Sequence, residues 1–176
     1  MVPRTISAAG AGTDAVLHTA GLAHGSKRND RAEVVRVNVE GTMRLATEAA
    51  AARVRCFVYI SSIAAAEGDR RSAPNTYALS KRAAEEALAK VAPSVPMRIV
   101  TLRPPMVFGP GMKGRPLLLL RLVQRGIPLP LASAIHKQSF MSSANLAAAI
   151  IPSLQHEVKG EFDVADDTPI STTEFV

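Results

Sequence analysis

A chain of 176 residues can bury one sizeable core, and 47% hydrophobic against 20% charged residues excludes a disordered chain. The formal charge of +6 rests on scattered basic residues, with Lys27-Arg28, Arg70-Arg71 and Lys81-Arg82 the only adjacent pairs. Aromatics are 4% and Trp is absent, so platforms for stacking bases are scarce and no nucleic-acid partner is expected. An anionic small ligand accounts for the charge equally well.

Cys56 is the single cysteine, which excludes an internal disulfide framework. It opens the apolar run Cys56-Phe57-Val58-Tyr59-Ile60, where a buried structural thiol is expected. Residues 1–7 hold no apolar stretch of signal-peptide length, and no later run, Pro116 to Leu120 included, is long enough to span a bilayer. A soluble, cytoplasmic protein without a membrane partner or a metal site is expected.

In chain order, Asp14 to Thr19 reads as a strand ending in the turn Ala20-Gly21. Arg31 to Arg53 reads as a helix, with Val35, Val39, Met43, Ala46 and Ala50 spaced along one face. Cys56 to Ile60 is a buried strand, Thr76 to Val91 a helix stopped before Pro93, and Met97 to Leu102 a strand. Strands alternating with helices of this length predict βαβ units and a parallel, doubly wound sheet in an α/β fold. The texture changes at Arg103-Pro104-Pro105 and at Gly109-Pro110-Gly111. A Leu-rich helix (Pro116 to Arg125), a Pro-broken loop (Gly126 to Pro130) and a short strand near Ser139 to Met141 follow. A helix (Ser142 to Leu154) and a strand (Glu161 to Val164) come last. A domain boundary near residue 111 is expected, with a smaller lobe beyond it.

The sharpest chemical signal is Tyr77-Ala78-Leu79-Ser80-Lys81. Four residues apart on a helix, Tyr77 and Lys81 project together. A nearby ammonium favours the phenolate, so the pair can exchange a proton with an alcohol near neutral pH. Spacing alone fits a chance pair on an amphipathic helix; the flanking segments reverse that balance. Upstream, Phe57-Val58-Tyr59-Ile60-Ser61-Ser62 is a buried strand that delivers hydroxyls to the sheet's carboxyl edge, where open α/β folds bind ligands. Downstream, Ile99-Val100-Thr101-Leu102-Arg103-Pro104-Pro105-Met106-Val107-Phe108-Gly109-Pro110 runs from a strand into a rigid turn.

This order of strand-Ser, helix Tyr-x-x-x-Lys and strand-Arg-Pro…Gly-Pro resembles the extended short-chain dehydrogenase/reductase group, the NAD-dependent epimerases and dehydratases. His18-Thr19-Ala20-Gly21 looks like that family's turn beside the cofactor, and Asn38-Val39-Glu40-Gly41-Thr42 like its helix motif, whose Asn orders the site. The resemblance implies a partial NAD-binding Rossmann domain over 1–111, from its fourth strand onward, and a partial substrate-binding lobe over 112–176. It implies Tyr77 as acid/base, Lys81 lowering its pKa and holding the nicotinamide ribose, and Ser62 polarising the substrate oxygen. Ala20, Gly21, Asn38, Ser61, Tyr77, Lys81 and Pro104 would contact NAD, with NADP not excluded. Ser62, Met106, Lys137 and Gln138 would contact substrate. Within the family, Ile60-Ser61-Ser62-Ile63 and Arg103 to Gly111 look most like bacterial UDP-sugar 4-epimerases, which implies a nucleotide-sugar substrate and a homo-oligomer. An NADP-dependent reductase and a catalytically silent fragment are the alternatives.

The chain departs from the family pattern in several places. Ile63 stands where the family often has its catalytic Ser or Thr, which leaves Ser62 for the role with Ser61 in reserve. Met106 replaces an Asn that contacts the nucleotide sugar. Gln138 replaces a diphosphate-binding Arg, with Lys137 beside it as a substitute. Gly10-Ala11-Gly12-Thr13-Asp14-Ala15 fits a loose Gly-x-Gly-x-x-Ala pattern, but no apolar strand precedes it and a strand follows, so it is not read as the pyrophosphate fingerprint. Most of the dinucleotide-binding half and the carboxyl end of the family pattern are therefore expected to be missing. Gly41, within a helix, suggests close approach of that helix to the sheet.

Overall fold

The computed structural model describes residues 12–22, 31–66, 76–112, 115–127 and 137–175. Gly10-Ala11, the pairs Lys27-Arg28 and Arg70-Arg71, and the end of the Pro-broken loop lie outside the described residues. The chain divides into two compact units, 1–103 with 150–163, and 104–149 with 164–176. This is not a single cut near residue 111: the chain returns to the first unit at Ile150.

The first unit is built on four parallel strands in the order β1 (Ala15–His18), β2 (Cys56–Ile60), β3 (Arg98–Arg103) and β7 (Gly160–Asp163). β2 and β3 are apolar on both faces because helices cover both, as the α/β reading requires. On one face Phe57, Tyr59 and Ile99 pack with Ala46, Ala49, Ala84 and Leu88 from α2 (Gly41–Ala51) and α4 (Thr76–Val91). Full burial of side chains such as Phe57 and Leu88 is worth about 1.5–3 kcal/mol each. On the other face Cys56 is buried, and its thiol points at the carbonyl of Ser153 at 3.5 Å. Burial raises the thiol pKa, which makes Cys56 the inert structural residue its apolar run suggested. Arg98 reaches the carbonyls of His156 and Val158 at 2.6 and 3.2 Å, a cation at the carboxyl end of the helix Ser143–Gln155.

The helix expected from Arg31 to Arg53 is interrupted. α1 (Arg31–Val35) passes into a π-helical turn, Arg36–Glu40, and then into α2, which ends at Ala51. The wide turn sends the Gly41 N–H back to the Arg36 carbonyl and rotates the packed face. The buried row is Val34, Asn38, Thr42, Ala46 and Ala49, while Val35 is 37% exposed. Two polar residues can occupy that row because they bond to one another and their neighbours. Gly41 does not serve close packing on the sheet. It is exposed, and a Cβ there would meet only the Arg36 carbonyl oxygen at an ordinary 3.6 Å.

Among the described residues, the second unit holds two small sheets. β4 (Met106–Phe108) pairs parallel with β6 (Phe140–Ser142), and β5 (Lys137–Gln138) pairs antiparallel with β8 (Ile170–Ser171). Phe140 stacks on Phe175 at 4.4 Å, with Phe108 edge-on to Phe175 at 5.7 Å. Gly109 is obligatory: its φ is 151°, and a Cβ would fall 2.2 Å from the Ser143 hydroxyl. The unit also contains α5 (Arg115–Gln124), the start of α6 (Ser143–Gln155) and α7 (Thr172–Phe175). No helix among the described residues is long and apolar enough to cross a membrane.

Candidate active site

The carboxyl ends of β1 and β2 and the first turns of α4 converge in the first unit. β2 continues into Ser61, whose N–H donates to the Leu102 carbonyl at 2.7 Å, so its backbone extends the ladder to β3. Ser62 then caps the short helix α3 (Ile63–Ala66), its hydroxyl accepting from the Ala64 N–H at 3.3 Å. The Ser62 side chain also hydrogen-bonds the phenol of Tyr77, on the first turn of α4. Ser61 is 3% exposed, and its hydroxyl has no partner among the described residues.

Lys81 follows Tyr77 by one turn and is buried at 3% exposure. Its ammonium donates to the Ile60 carbonyl at 2.8 Å and lies 4.7 Å from the centre of the Tyr59 ring and 5.9 Å from that of Tyr77. Burial pulls the Lys81 pKa down to about 8, with the Glu85 carboxylate opposing. Burial also pushes the Tyr77 phenol upward, and the hydrogen bond from Ser62 is what resists it. Burial is the larger influence on the phenol, and the Ser62 hydrogen bond the smaller, opposing one.

Behind the pair runs a connected polar network. Asn38, in the π-helical turn, accepts from the Leu22 N–H at 2.7 Å and donates to the Leu22 carbonyl at 3.2 Å, fixing the turn that contains Ala20 and Gly21. Its amide also donates to Ser80 at 2.9 Å, and Ser80 donates to the Tyr77 carbonyl at 2.7 Å. The Thr42 hydroxyl donates to the Asn38 carbonyl at 2.7 Å. Its one proton is thereby committed, so His18, with Nε2 at 2.9 Å from the same oxygen, carries its proton on Nε2. Burial and then the Lys81 charge hold His18 down at about 4, a neutral ring stacked on Tyr59.

The residue set fits a dinucleotide by its donors and by the space it leaves. Lys81 has three N–H donors, and Ile60 takes one. The Ser61 hydroxyl is buried and unpartnered among the described residues. Gly21 leaves open a position 3.2 Å from the Lys81 ammonium and 3.5 Å from the Asn38 oxygen, which a Cβ would fill. Ala20 is exposed beside it.

The first unit therefore assembles Ala20, Gly21, Asn38, Ser61, Ser62, Tyr77 and Lys81. Pro104, Met106, Lys137 and Gln138 fall in the second unit. There, Met106 lies on the β4–β6 sheet, while Lys137 and Gln138 are exposed on β5, the Gln138 amide reaching Thr172 at 3.5 Å. His18, Thr42 and Ser80 escaped the sequence reading. Each lies within a quoted motif; for Thr42 and Ser80, polarity in a helix row otherwise apolar was the available signal.

Hydroxyl, phenol and ammonium are thus gathered at the carboxyl edge of a parallel sheet, where open α/β folds bind ligands. The NAD dependent epimerase/dehydratase family matches residues 4–165, and the chain belongs to that family. The UDP-glucose 4-epimerase of Vibrio cholerae is 36% identical over 93% of this chain and 55% of its own length. The ceramide reductase of Caulobacter vibrioides is 32% identical over 93% of this chain and 48% of its own length. The chain thus spans about half the length of the curated relatives it matches. Among solved structures, UDP-N-acetylglucosamine 4-epimerase from Methanobrevibacter ruminantium, in complex with UDP-N-acetylmuramic acid, superimposes with a TM-score of 0.84 at 18% identity. It covers 98% of this chain and 61% of its own, and at that identity the likeness is one of fold.

Proposed function

We propose that the protein is an NAD-dependent nucleotide-sugar epimerase or dehydratase of the UDP-hexose 4-epimerase kind. The observation that carries this reading is the buried Lys81 ammonium one turn from a Tyr77 phenol that Ser62 hydrogen-bonds. In this reading Tyr77 is the acid/base, taking the proton of a sugar hydroxyl and returning it. Ser62, already bonded to that phenol, polarises the same substrate oxygen. Lys81 and Ser61, with the opening at Gly21 and Asn38 behind it, hold the nicotinamide ribose. NAD, when bound, supplies reversible hydride transfer. The second unit is the substrate lobe, with Met106, Lys137 and Gln138 as its contacts.

A second reading, an NADP-dependent reductase, has two supports. Met106 is apolar where nucleotide-sugar enzymes of the family place an Asn, and one relative is a ceramide reductase. The experiment incubates the full protein with UDP-glucose and NAD and follows both sugar and cofactor. Conversion to the 4-epimer with no net change in NAD supports the first reading. Stoichiometric consumption of reduced cofactor on a long-chain carbonyl compound, with no epimer formed, replaces it with the second.

A further inference from the structure

Helix α4 carries a third group on the row that bears Tyr77 and Lys81. Glu85 stands one more turn along it, 3% exposed, in a position no solvent can stabilise. Its carboxylate is gripped bidentately by Arg103, with Nε at 3.0 Å from one oxygen and Nη2 at 2.6 Å from the other. Arg103 is the last residue of β3, and its guanidinium also reaches Glu161 at 2.5 Å and Asp163 at 3.8 Å on β7. The cluster joins the helix to the two strand ends at which the chain leaves the first unit, Arg103 and Asp163.

A buried ion pair contributes little net stability, because desolvating both charges offsets most of their attraction. An apolar pair would hold the helix on the sheet as well. What an apolar pair lacks is a fixed register and a charge. The planar fork fixes the placement of α4 along β3, and Glu85 stands one turn from Lys81 on the same row. Among the described residues, the groups around the Lys81 ammonium are His18 on β1, Tyr59 and the Ile60 carbonyl on β2, and Tyr77 and Glu85 on α4. Glu85 is the one anion in the set. The Glu85 carboxylate favours the charged form of Lys81, and Arg103 grips that carboxylate from the strand β3.

We infer that Glu85, clamped by Arg103, is a positioning residue for the Tyr77–Lys81 pair: it sets the register of α4 on β3 and supplies the counter-charge of the buried ammonium. The inference rests on the proposed chemistry for its kinetic consequence but not for its electrostatic one.

The test is direct titration of Lys81 in the full chain by NMR with isotope-labelled lysine, the signal assigned by its loss in Lys81→Met. In Glu85→Gln the Lys81 midpoint should fall by about one pH unit, the size of a charge one helical turn away at intermediate dielectric. Glu85→Gln leaves Arg103 without its buried partner and can unfold the chain, so Glu85→Gln/Arg103→Gln, which leaves no unpaired buried charge, is measured beside it. Its midpoint should fall by about half as much. In whichever variants fold, turnover should drop roughly tenfold, and cofactor affinity should weaken with it because Lys81 is the proposed ribose contact. A Lys81 midpoint equal to the native one in the folded variants overturns the inference. Inactivity of the native protein would count against the proposed function and leave the titration to decide this one.

Discussion

The side-chain amide of Asn38 donates to the Ser80 hydroxyl at 2.9 Å, and that hydroxyl donates to the Tyr77 carbonyl at 2.7 Å. One residue of the π-helical turn is thereby bonded to the turn at Leu22 and to the first turn of α4. Asn38→Ala removes the donor to the Ser80 hydroxyl and leaves both Leu22 backbone groups without their side-chain partner, so a loss of about 2–3 kcal/mol is expected in urea unfolding. A loss under about 0.5 kcal/mol, the range of ordinary surface substitutions, would show that Asn38 does not hold these segments together.

Gly41→Ala should act in the opposite direction. Gly41 is helical, with φ at −60°, and its missing Cβ faces nothing closer than 3.6 Å. Ala is worth up to about 1 kcal/mol over Gly in a helix interior, so the midpoint of denaturation should rise. A fall would mean that the π-helical turn needs the glycine for a reason the contacts do not show.

Lys81→Met should stabilise the ligand-free protein at pH 7. The ammonium is held down at about 8 by burial, so the folded state binds this proton less well than the unfolded chain does. Its penalty is fully present below pH 8 and relieved as the pH rises toward the unfolded value of about 10.4. The gain in thermal midpoint of the variant should therefore shrink between pH 8 and 10. A variant less stable than the native protein at pH 7 would mean that the bond to Ile60 and the contact with Tyr59 outweigh desolvation.

His18 adds an acid limb. Its folded pKa of about 4 lies below the ordinary 6.5, so only the unfolded chain takes up the proton between these values. Stability should fall as the pH drops from 6.5 to 4. His18→Gln keeps a donor for Thr42 without a titrating ring, and its unfolding free energy should be flatter over that window. An unchanged slope would assign the acid limb to other groups.

Much of the fold was legible because its signals are local. Cys56 to Ile60 is an unbroken apolar run, and Thr76 to Val91 has a helical pattern with Pro93 beyond it; both elements end where those signals end. Tyr77 and Lys81 could be found because their helical spacing sits between the strand-Ser and strand-Arg-Pro segments, which are themselves local signals. The π-helical turn could not, because it is paid for by tertiary bonds: Thr42 to Asn38, and Asn38 to Leu22 and Ser80. The apolar row Val35, Val39, Met43 looked like the packed face, and the polar row won once its groups had partners. The Glu85–Arg103 pair escaped because its residues lie 18 apart and meet only through the register of α4 on β3. Ser171 and Glu174 were missed as well. Glu174 accepts from the Ser171 N–H at 2.7 Å and donates its own N–H to the Ser171 hydroxyl at 3.2 Å, the reciprocal cap of α7.

Comparison of Tyr77→Phe with the native protein tests the central claim most directly, by single-turnover formation of the 4-epimer from UDP-glucose alongside equilibrium binding of NAD. The substitution keeps the ring against its neighbours and removes only the hydroxyl that Ser62 contacts. Turnover should fall by about 10²–10⁴-fold with NAD affinity unchanged. Native turnover in Tyr77→Phe would contradict the assignment of the acid/base to this phenol, and with it the chemistry proposed for the site.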